Sequence, residues 1–323
     1  MDENESKPVQ PGRKYDESER VGEQVALLLG MLASNYSEAK TSAIVQLSRI
    51  GEPAVPHLLQ ALRDARRREG DREASRDGPG VGDIAHSLGM IGSPSAVGVL
   101  SEMLDDRGDS FFSLGGTRSE NPVAEALGKI GTKEALDALA RNLHKGGASA
   151  ALGRFGDDRV GALLKVLESS DATRQATAAQ QLGTLGASAA VPKLLTLLGA
   201  PENSVKAAAI DALSEIGDHA AIPHLRALLK TAPPEQTGNL YWRQDDEVRS
   251  RAVNALAKLG GVSVIPDLWR ETLAGDRDAK SALIQMGDTA IPSLVDVLVK
   301  GDAGAQKVAA ELISEIKAGG KRA

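Results

Sequence analysis

The amino-acid sequence predicts an all-α protein, a right-handed α-solenoid of about eight helical-hairpin repeats with a half-repeat cap at each end. Three observations predict it. A phrase made of leucine, two residues, a large apolar residue and glycine recurs eight times, about every 30 residues. Apolar residues before each glycine follow the 3.6-residue period of a helix. The 323 residues include 34 glycines but only three Phe, two Trp and three Tyr, and such small side chains favour close helix packing over sheets.

The recurring phrase places the end of a first helix, helix A, at its glycine, where positive φ costs little. The eight glycines are Gly51, Gly92, Gly131, Gly156, Gly186, Gly217, Gly260 and Gly287. A second phrase with an early proline predicts a second helix, helix B, because proline is tolerated in a first turn. Its prolines are Pro56, Pro192, Pro223, Pro266 and Pro292.

Two further features of helix A are readable in the sequence. Glycine follows the anchor leucine in four repeats, at Gly89, Gly128, Gly153 and Gly183, and we expect a neighbouring helix to approach closely there. Polar residues predict the helix starts. These N-cap candidates are Ser37, Asn121, Asp171, Asn203 and Asp302.

The chain divides into three predicted segments. Residues 1–20 are polar and contain Pro and Gly, so a disordered N-terminal tail is expected, followed by the solenoid over 21–318 and a short tail over 319–323. Three insertions, 63–82, 105–120 and 231–244, follow helix B each time. Because they occupy the same position in the repeat, they are expected to project from one edge of the array.

The segment from Asp246 to Leu268 carries the clearest match to a known repeat pattern. It reads Asp-x-Val-Arg, then Ala-Leu-x-x-Leu-Gly, then Ile-Pro-x-Leu. This pattern resembles the HEAT-like repeats first named for phycobilisome lyases, which are armadillo-like in architecture. The resemblance covers roughly residues 23 to 318. It implies the α-solenoid fold, and it leaves function open because such repeats serve many roles.

Several kinds of chemistry are disfavoured by the residue inventory. The chain has no cysteine, which excludes disulfides, thiol catalysis and iron–sulfur ligation. None of the five histidines precedes a glutamate, whereas the di-iron hydroxylase of deoxyhypusine, which shares this repeat architecture, uses His-Glu pairs. No phosphate-binding loop or nucleophile elbow occurs. The sequence therefore predicts no catalytic residues, no metal, no cofactor and no enzymatic activity of its own.

Charge and hydropathy restrict the partners and the compartment. With 38 basic and 44 acidic residues the net charge is −6, which argues against nucleic acid as a partner. No apolar run approaches 18 residues, and the first 20 contain no hydrophobic stretch. Neither a membrane span nor a signal peptide is expected, and the predicted location is cytoplasmic.

Half of the aromatic residues lie in two of the insertions. These are Phe111 and Phe112 in the second insertion and Tyr241 and Trp242 in the third. Aromatic side chains dominate interface energetics, so these loops are candidates for partner contact. The alternative is that each pair folds back and covers apolar surface at the edge. Trp269, in a helix B, is either core or contact.

A second candidate surface lies on the B helices, which usually line the concave side of an α-solenoid. The residue after the B-helix proline is polar in each repeat that has the phrase, and Arg270 lies four residues after its proline. The candidate contacts of this column are His57, Lys193, His224 and Asp267. Such a polar groove suits a peptide or protein, although it could equally be plain solvated surface.

These features favour a non-catalytic protein-binding scaffold or adaptor, with a concave groove and insertion loops on one edge. Its expected partner is a protein or peptide, and neither nucleic acid nor a membrane is expected as a partner. The alternative, implied by the resemblance, is a phycobilin lyase-like subunit or chaperone that acts on a tetrapyrrole-bearing protein.

Overall fold

The computed structural model describes residues 17–68, 78–106, 121–230 and 244–319, and every regular element in these ranges is helical. The A helices are α2 (Ser37–Ile50), α4 (Val81–Ile91), α6 (Pro122–Ile130), α8 (Ala148–Leu152), α10 (Ala172–Thr184), α12 (Asn203–Ile216), α14 (Gln244–Gly260) and α16 (Arg277–Gln285). The B helices are α3 (Val55–Arg68), α5 (Val97–Asp106), α7 (Lys133–Arg141), α9 (Asp158–Val166), α11 (Val191–Leu197), α13 (Ile222–Lys230), α15 (Ile265–Leu273) and α17 (Ile291–Lys300). The predicted alternation of A and B helices is confirmed.

Single helices stand at the two ends of the described chain. The first, α1 (Glu17–Leu32), includes the last four residues of the predicted N-terminal tail, and the last is α18 (Ala303–Gly319). The chain forms two compact units, residues 1–156 and 157–323. The first unit contains α1 to α8 and the second contains α9 to α18.

The repeated residues build the elements as the sequence predicts. All eight anchor leucines are at most 1% exposed, and each B-helix proline is the second residue of its helix. They are Leu47, Leu88, Leu127, Leu152, Leu182, Leu213, Leu256 and Leu283. Seven of the eight phrase glycines have positive φ. At the eighth, Gly260 stays in α14 with a φ of −91° and the next residue, Gly261, takes the positive φ of 50°.

The A helices of neighbouring repeats lie unusually close together within each unit. A Cβ added at Gly89 would lie 2.8 Å from the Ala126 Cα, and one added at Gly183 would lie 2.7 Å from the Ala212 Cα. A Cβ added at Gly128 would lie 3.1 Å from both the Cβ and the carbonyl oxygen of Ala151. These glycines therefore let one A helix pack directly on the backbone of the next. The predicted close approach is confirmed at these three positions.

The two rows of helices consequently differ in spacing within a unit. Consecutive A helices pack extensively on one another in both units, whereas among the described B helices only α5 and α7 pack comparably. The more closely spaced row is the inner side of a curved stack, so the A helices form the inner row of each unit. This corrects the expectation that the B helices line the concave surface.

Candidate functional site

The four residues predicted after the B-helix prolines lie on the outer row, and two of them tie repeats together. Lys193 Nζ donates to the Leu164 carbonyl at 3.0 Å and to Glu168 Oε1 at 2.5 Å, which joins α11 to α9. Asp267 Oδ2 accepts from Arg226 Nε at 2.6 Å, which joins α15 to α13. His57 and His224 are exposed. Lys193 and Asp267 therefore have a structural role in joining neighbouring repeats.

Trp269 and Arg270 lie on α15, beside an apolar patch that the sequence analysis missed. Trp269 is half-buried, and Arg270 is 52% exposed with its Nε 3.3 Å from Glu271 Oε1. Trp269 and the exposed Leu273 occupy the same repeat positions on α15 as Val295 and Val299 on α17. The signal for this patch is the shared offset from the buried leucines Leu268 and Leu294.

The predicted aromatic contacts of the insertions cannot be placed. Phe111, Phe112, Tyr241 and Trp242 all lie outside the described residues. Their role therefore stays a prediction.

The inner row presents its own set of side chains, in a register set by the anchor leucines. Lys129, two residues after its leucine on α6, has its Nζ 3.4 Å from Nδ1 of His86, two residues before the leucine on α4. Arg154, two residues after the α8 leucine, interacts electrostatically with Glu125 in the same relation. The exposed Met90 of α4 and the exposed Val45 of α2 occupy the corresponding positions, two residues after and two residues before their leucines.

We call this surface of the first unit the basic face; its residues are Val45, Arg49, His86, Met90, Lys129 and Arg154. Arg49 and Arg154 are exposed and form neither a hydrogen bond nor an ion pair with any described residue. An open depression of about 560 Å³ runs along α2 and is lined in part by Val45 and Arg49. The signal for this face in the sequence is the position two residues after each anchor leucine.

The ionic groups of the basic face are partly compensated. Lys129 Nζ lies 2.8 Å from Glu125 Oε1. The pKa of Glu125 is lowered, first by the hydrogen bond from Lys129 and then by the charges of Lys129, His86 and Arg154, against a desolvation that raises it. Lys40 Nζ similarly lies 2.7 Å from Asp83 Oδ2. These pairs neutralise Lys129 and Lys40, and the cations of Arg49 and Arg154 remain available to a partner.

The inner row of the second unit is ionic in a different way. Asp211 of α12 is paired with Arg251 of α14, and Arg251 Nη2 also lies 2.7 Å from Glu247 Oε1. Burial raises the pKa of Asp211, and the attraction of Arg251 only partly opposes this. Lys280 Nζ lies 2.8 Å from Glu315 Oε1 and links α16 to α18. These contacts join neighbouring helices of the inner row.

The described ranges contain neither a metal-binding cluster nor a single membrane-spanning helix. No three His, Asp or Glu side chains of this part of the chain lie together as a metal site. No single helix there is long and apolar enough to cross a membrane; one pair, 277–285 with 287–300, meets the length and composition criteria together but is bent by 103°.

Two segments of the chain match known family models. Residues 160–237 match HEAT repeats, and residues 123–145 match the PBS lyase HEAT-like repeat. A comparison with curated proteins finds no match.

Solved structures of similar fold match this chain over nearly all of their own lengths. YibA of Escherichia coli is 17% identical, with 95% of this chain and 99% of that chain covered and a TM-score of 0.37. The complex of CpcE and CpcF of phycocyanin lyase from Nostoc sp. PCC7120 is 22% identical, with 79% and 93% covered and a TM-score of 0.30. Human deoxyhypusine hydroxylase in complex with glycerol is 16% identical, with 93% and 98% covered and a TM-score of 0.28. At these scores the likenesses carry no functional argument.

Proposed function

We propose that this chain, a HEAT-like repeat protein, is a non-catalytic scaffold that binds a protein or peptide partner. One observation carries the proposal. The anchor leucine of the inner row is buried in every repeat, whereas the position two residues after it changes in charge and size and is exposed in seven of the eight repeats. Its occupants are Arg49, Met90, Lys129, Arg154, Thr184, Glu215, Lys258 and Gln285. A constant framework under a varied surface is how repeat proteins recognise other chains.

Three surfaces are candidates for the partner contact. The inner row offers the basic face. The outer row offers Trp269 and Arg270 beside their apolar patch, together with His57, Lys193, His224 and Asp267. The third candidate is the pair of insertions with Phe111, Phe112, Tyr241 and Trp242, whose aromatic side chains suit partner contact.

A co-purification series tests the scaffold. The tagged full chain and a variant with Phe111, Phe112, Tyr241 and Trp242 changed to Ala are used to capture proteins from the source cells, and retained proteins are quantified by mass spectrometry. We expect a protein enriched by the wild type, with weaker retention by the variant at unchanged helical circular dichroism. No protein enriched above a tag-only control would overturn the scaffold. Full retention by the variant would remove only the loop assignment.

A second candidate is a phycobilin lyase-like subunit or chaperone. It is favoured by the match of residues 123–145 to the PBS lyase HEAT-like repeat. The test is absorbance of a free bilin with the full chain, alone and with a bilin-free phycobiliprotein. A spectral shift or chromophore transfer supports this candidate, and the absence of both effects rejects it. The cytoplasmic location of the chain is likewise proposed from the sequence.

A further inference from the structure

The basic face combines unpaired cations with exposed apolar side chains on four consecutive A helices. Arg49 and Arg154 lie at its two ends, and Val45 and Met90, 40% and 47% exposed, lie between them. We propose that the basic face binds an extended acidic peptide segment that carries one large apolar side chain among its carboxylates. This proposal rests on the scaffold function and names the chemistry of the partner.

Charge complementarity is the first argument for an acidic partner. The chain as a whole has a net charge of −6, yet the two arginines of this face form no hydrogen bond or ion pair with a described carboxylate, and Arg154 has only a longer-range attraction to Glu125. Guanidinium groups form paired hydrogen bonds with carboxylates, and these bonds are stronger than those between neutral groups. A peptide that carries carboxylates can therefore form such hydrogen bonds at both ends of the face.

The apolar step between the cations favours a peptide over a nucleic acid. In the register that His86 and Lys129 establish, we expect Val45 and Met90 to lie side by side, and these exposed apolar side chains cannot bind a phosphate backbone. Methionine adapts its shape to a bound apolar side chain. A leucine-sized side chain of a peptide would cover both.

The helix spacing sets the spacing of the peptide's contacts. Packed helices lie about 8–10 Å apart, and an extended chain rises about 3.3 Å per residue, so one repeat corresponds to about three peptide residues. The column Arg49, Met90, Lys129, Arg154 then calls for the order acidic, apolar, neutral, acidic at every third residue, because Glu125 already neutralises Lys129. A ten-residue peptide Glu-x-x-Leu-x-x-Gln-x-x-Glu, with x as Ser or Gly, meets this order.

The test measures binding of this fluorescein-labelled peptide to the full chain by fluorescence anisotropy. The variant combines Arg49→Glu with Arg154→Glu, and the matched control combines Arg63→Glu with Lys133→Glu, which makes the same change in net charge at exposed positions on the B helices of the same unit. We expect the variant to lose at least tenfold in affinity and the control to change it less than threefold. A peptide with leucine moved to the first position should bind at least fivefold more weakly, because leucine then faces a guanidinium.

Three results would overturn the proposal: no binding to the wild type, equal losses in variant and control, or a single-stranded oligonucleotide that binds more tightly than the peptide at the same salt. Circular dichroism of each variant checks that the helices remain. A partner captured in the co-purification series that the Arg49→Glu, Arg154→Glu variant still retains fully would also overturn this site. The scaffold function would then survive, because it depends on capture alone.

Discussion

Lys129 Nζ lies 3.4 Å from His86 Nδ1 and 2.8 Å from Glu125 Oε1, so one lysine of α6 reaches both its own helix and α4. An ammonium group can only donate, so a hydrogen bond in this contact requires Nδ1 of the imidazole to accept. The contact fixes the register in which the inner-row side chains of neighbouring repeats meet.

Replacing Lys129 by Met should raise the pKa of Glu125 toward its ordinary value, because the hydrogen bond from Lys129 is the main cause of its lowering. A lowered carboxyl pKa contributes stability above the ordinary glutamate pKa, and this is lost as pH falls through the folded-state value. The stability difference between wild type and variant should therefore be largest near neutral pH and shrink in acid. It should also be small, because Glu125 is 48% exposed.

Carboxyl resonances followed by NMR during a pH titration measure the Glu125 pKa in both proteins. Glu125→Gln is the control, since it should remove the same pH dependence of the unfolding free energy. An unchanged Glu125 pKa in the Lys129→Met variant would contradict the assignment.

Two glycines of the second unit should respond to alanine with opposite signs. Gly183→Ala puts a Cβ 2.7 Å from the Ala212 Cα and should cost about 1–3 kcal/mol through overpacking. Gly161 of α9 has no atom within 4 Å of such a Cβ, so Gly161→Ala should gain about 0.5–1 kcal/mol. Urea unfolding followed by tryptophan fluorescence reports on this unit, which contains both Trp242 and Trp269. Equal effects of the two changes would show that Gly183 has no packing role.

The elements of the fold follow from local signals, and the errors arise where two local signals compete. Asn121 and Asp171 cap their helices with side-chain hydrogen bonds, as predicted. Ser37 and Asn203 are instead the first helical residues, after Tyr36 and Glu202, which make no such bond. Gly260 and Gly261 stand side by side, and the sequence does not say which takes positive φ.

The surface was harder to predict, because it depends on distances between helices. Assigning the inner side to the B helices relied on what is usual for α-solenoids. The glycines at positions 89, 128 and 183 already indicate close A helices, and thus an inner A row. That Arg49 and Arg154 form no ion pair with a described residue depends on side-chain placement across repeats, which no single-repeat pattern contains.

Asp211→Asn should leave stability at neutral pH unchanged or slightly higher, although it removes an ion pair. Burial raises the pKa of Asp211 more than Arg251 lowers it, so the charged form is a cost to folding. Because the folded-state pKa is raised, this cost is fully present at pH values above that pKa. It disappears as the pH falls to the ordinary pKa of aspartate. Arg251 keeps Glu247 as a partner. Thermal unfolding at pH 7 and at pH 4 checks the sign, with Glu125→Gln as the control that should lose stability at pH 7; a lower melting temperature for Asp211→Asn at pH 7 would contradict it.

Arg249 joins four helices of the second unit, and its loss should be the most destabilising of these changes. Arg249 of α14 donates to buried Glu271 of α15, to the Leu229 carbonyl of α13 at 3.1 Å and to Asp276, the N-cap of α16, at 3.3 Å. Glu271 is 6% exposed, so Arg249→Met leaves a buried carboxylate without its main partner and should cost about 3 kcal/mol. Adding Glu271→Met should recover part of this loss because no buried charge then remains. Arg277→Met, at an exposed arginine of the same unit, should stay within about 0.5 kcal/mol of the wild type. Urea unfolding of the wild type and the three variants, followed by tryptophan fluorescence, measures these changes in unfolding free energy. A loss for Arg249→Met no larger than that for Arg277→Met would show that this ion pair does not hold the repeats together.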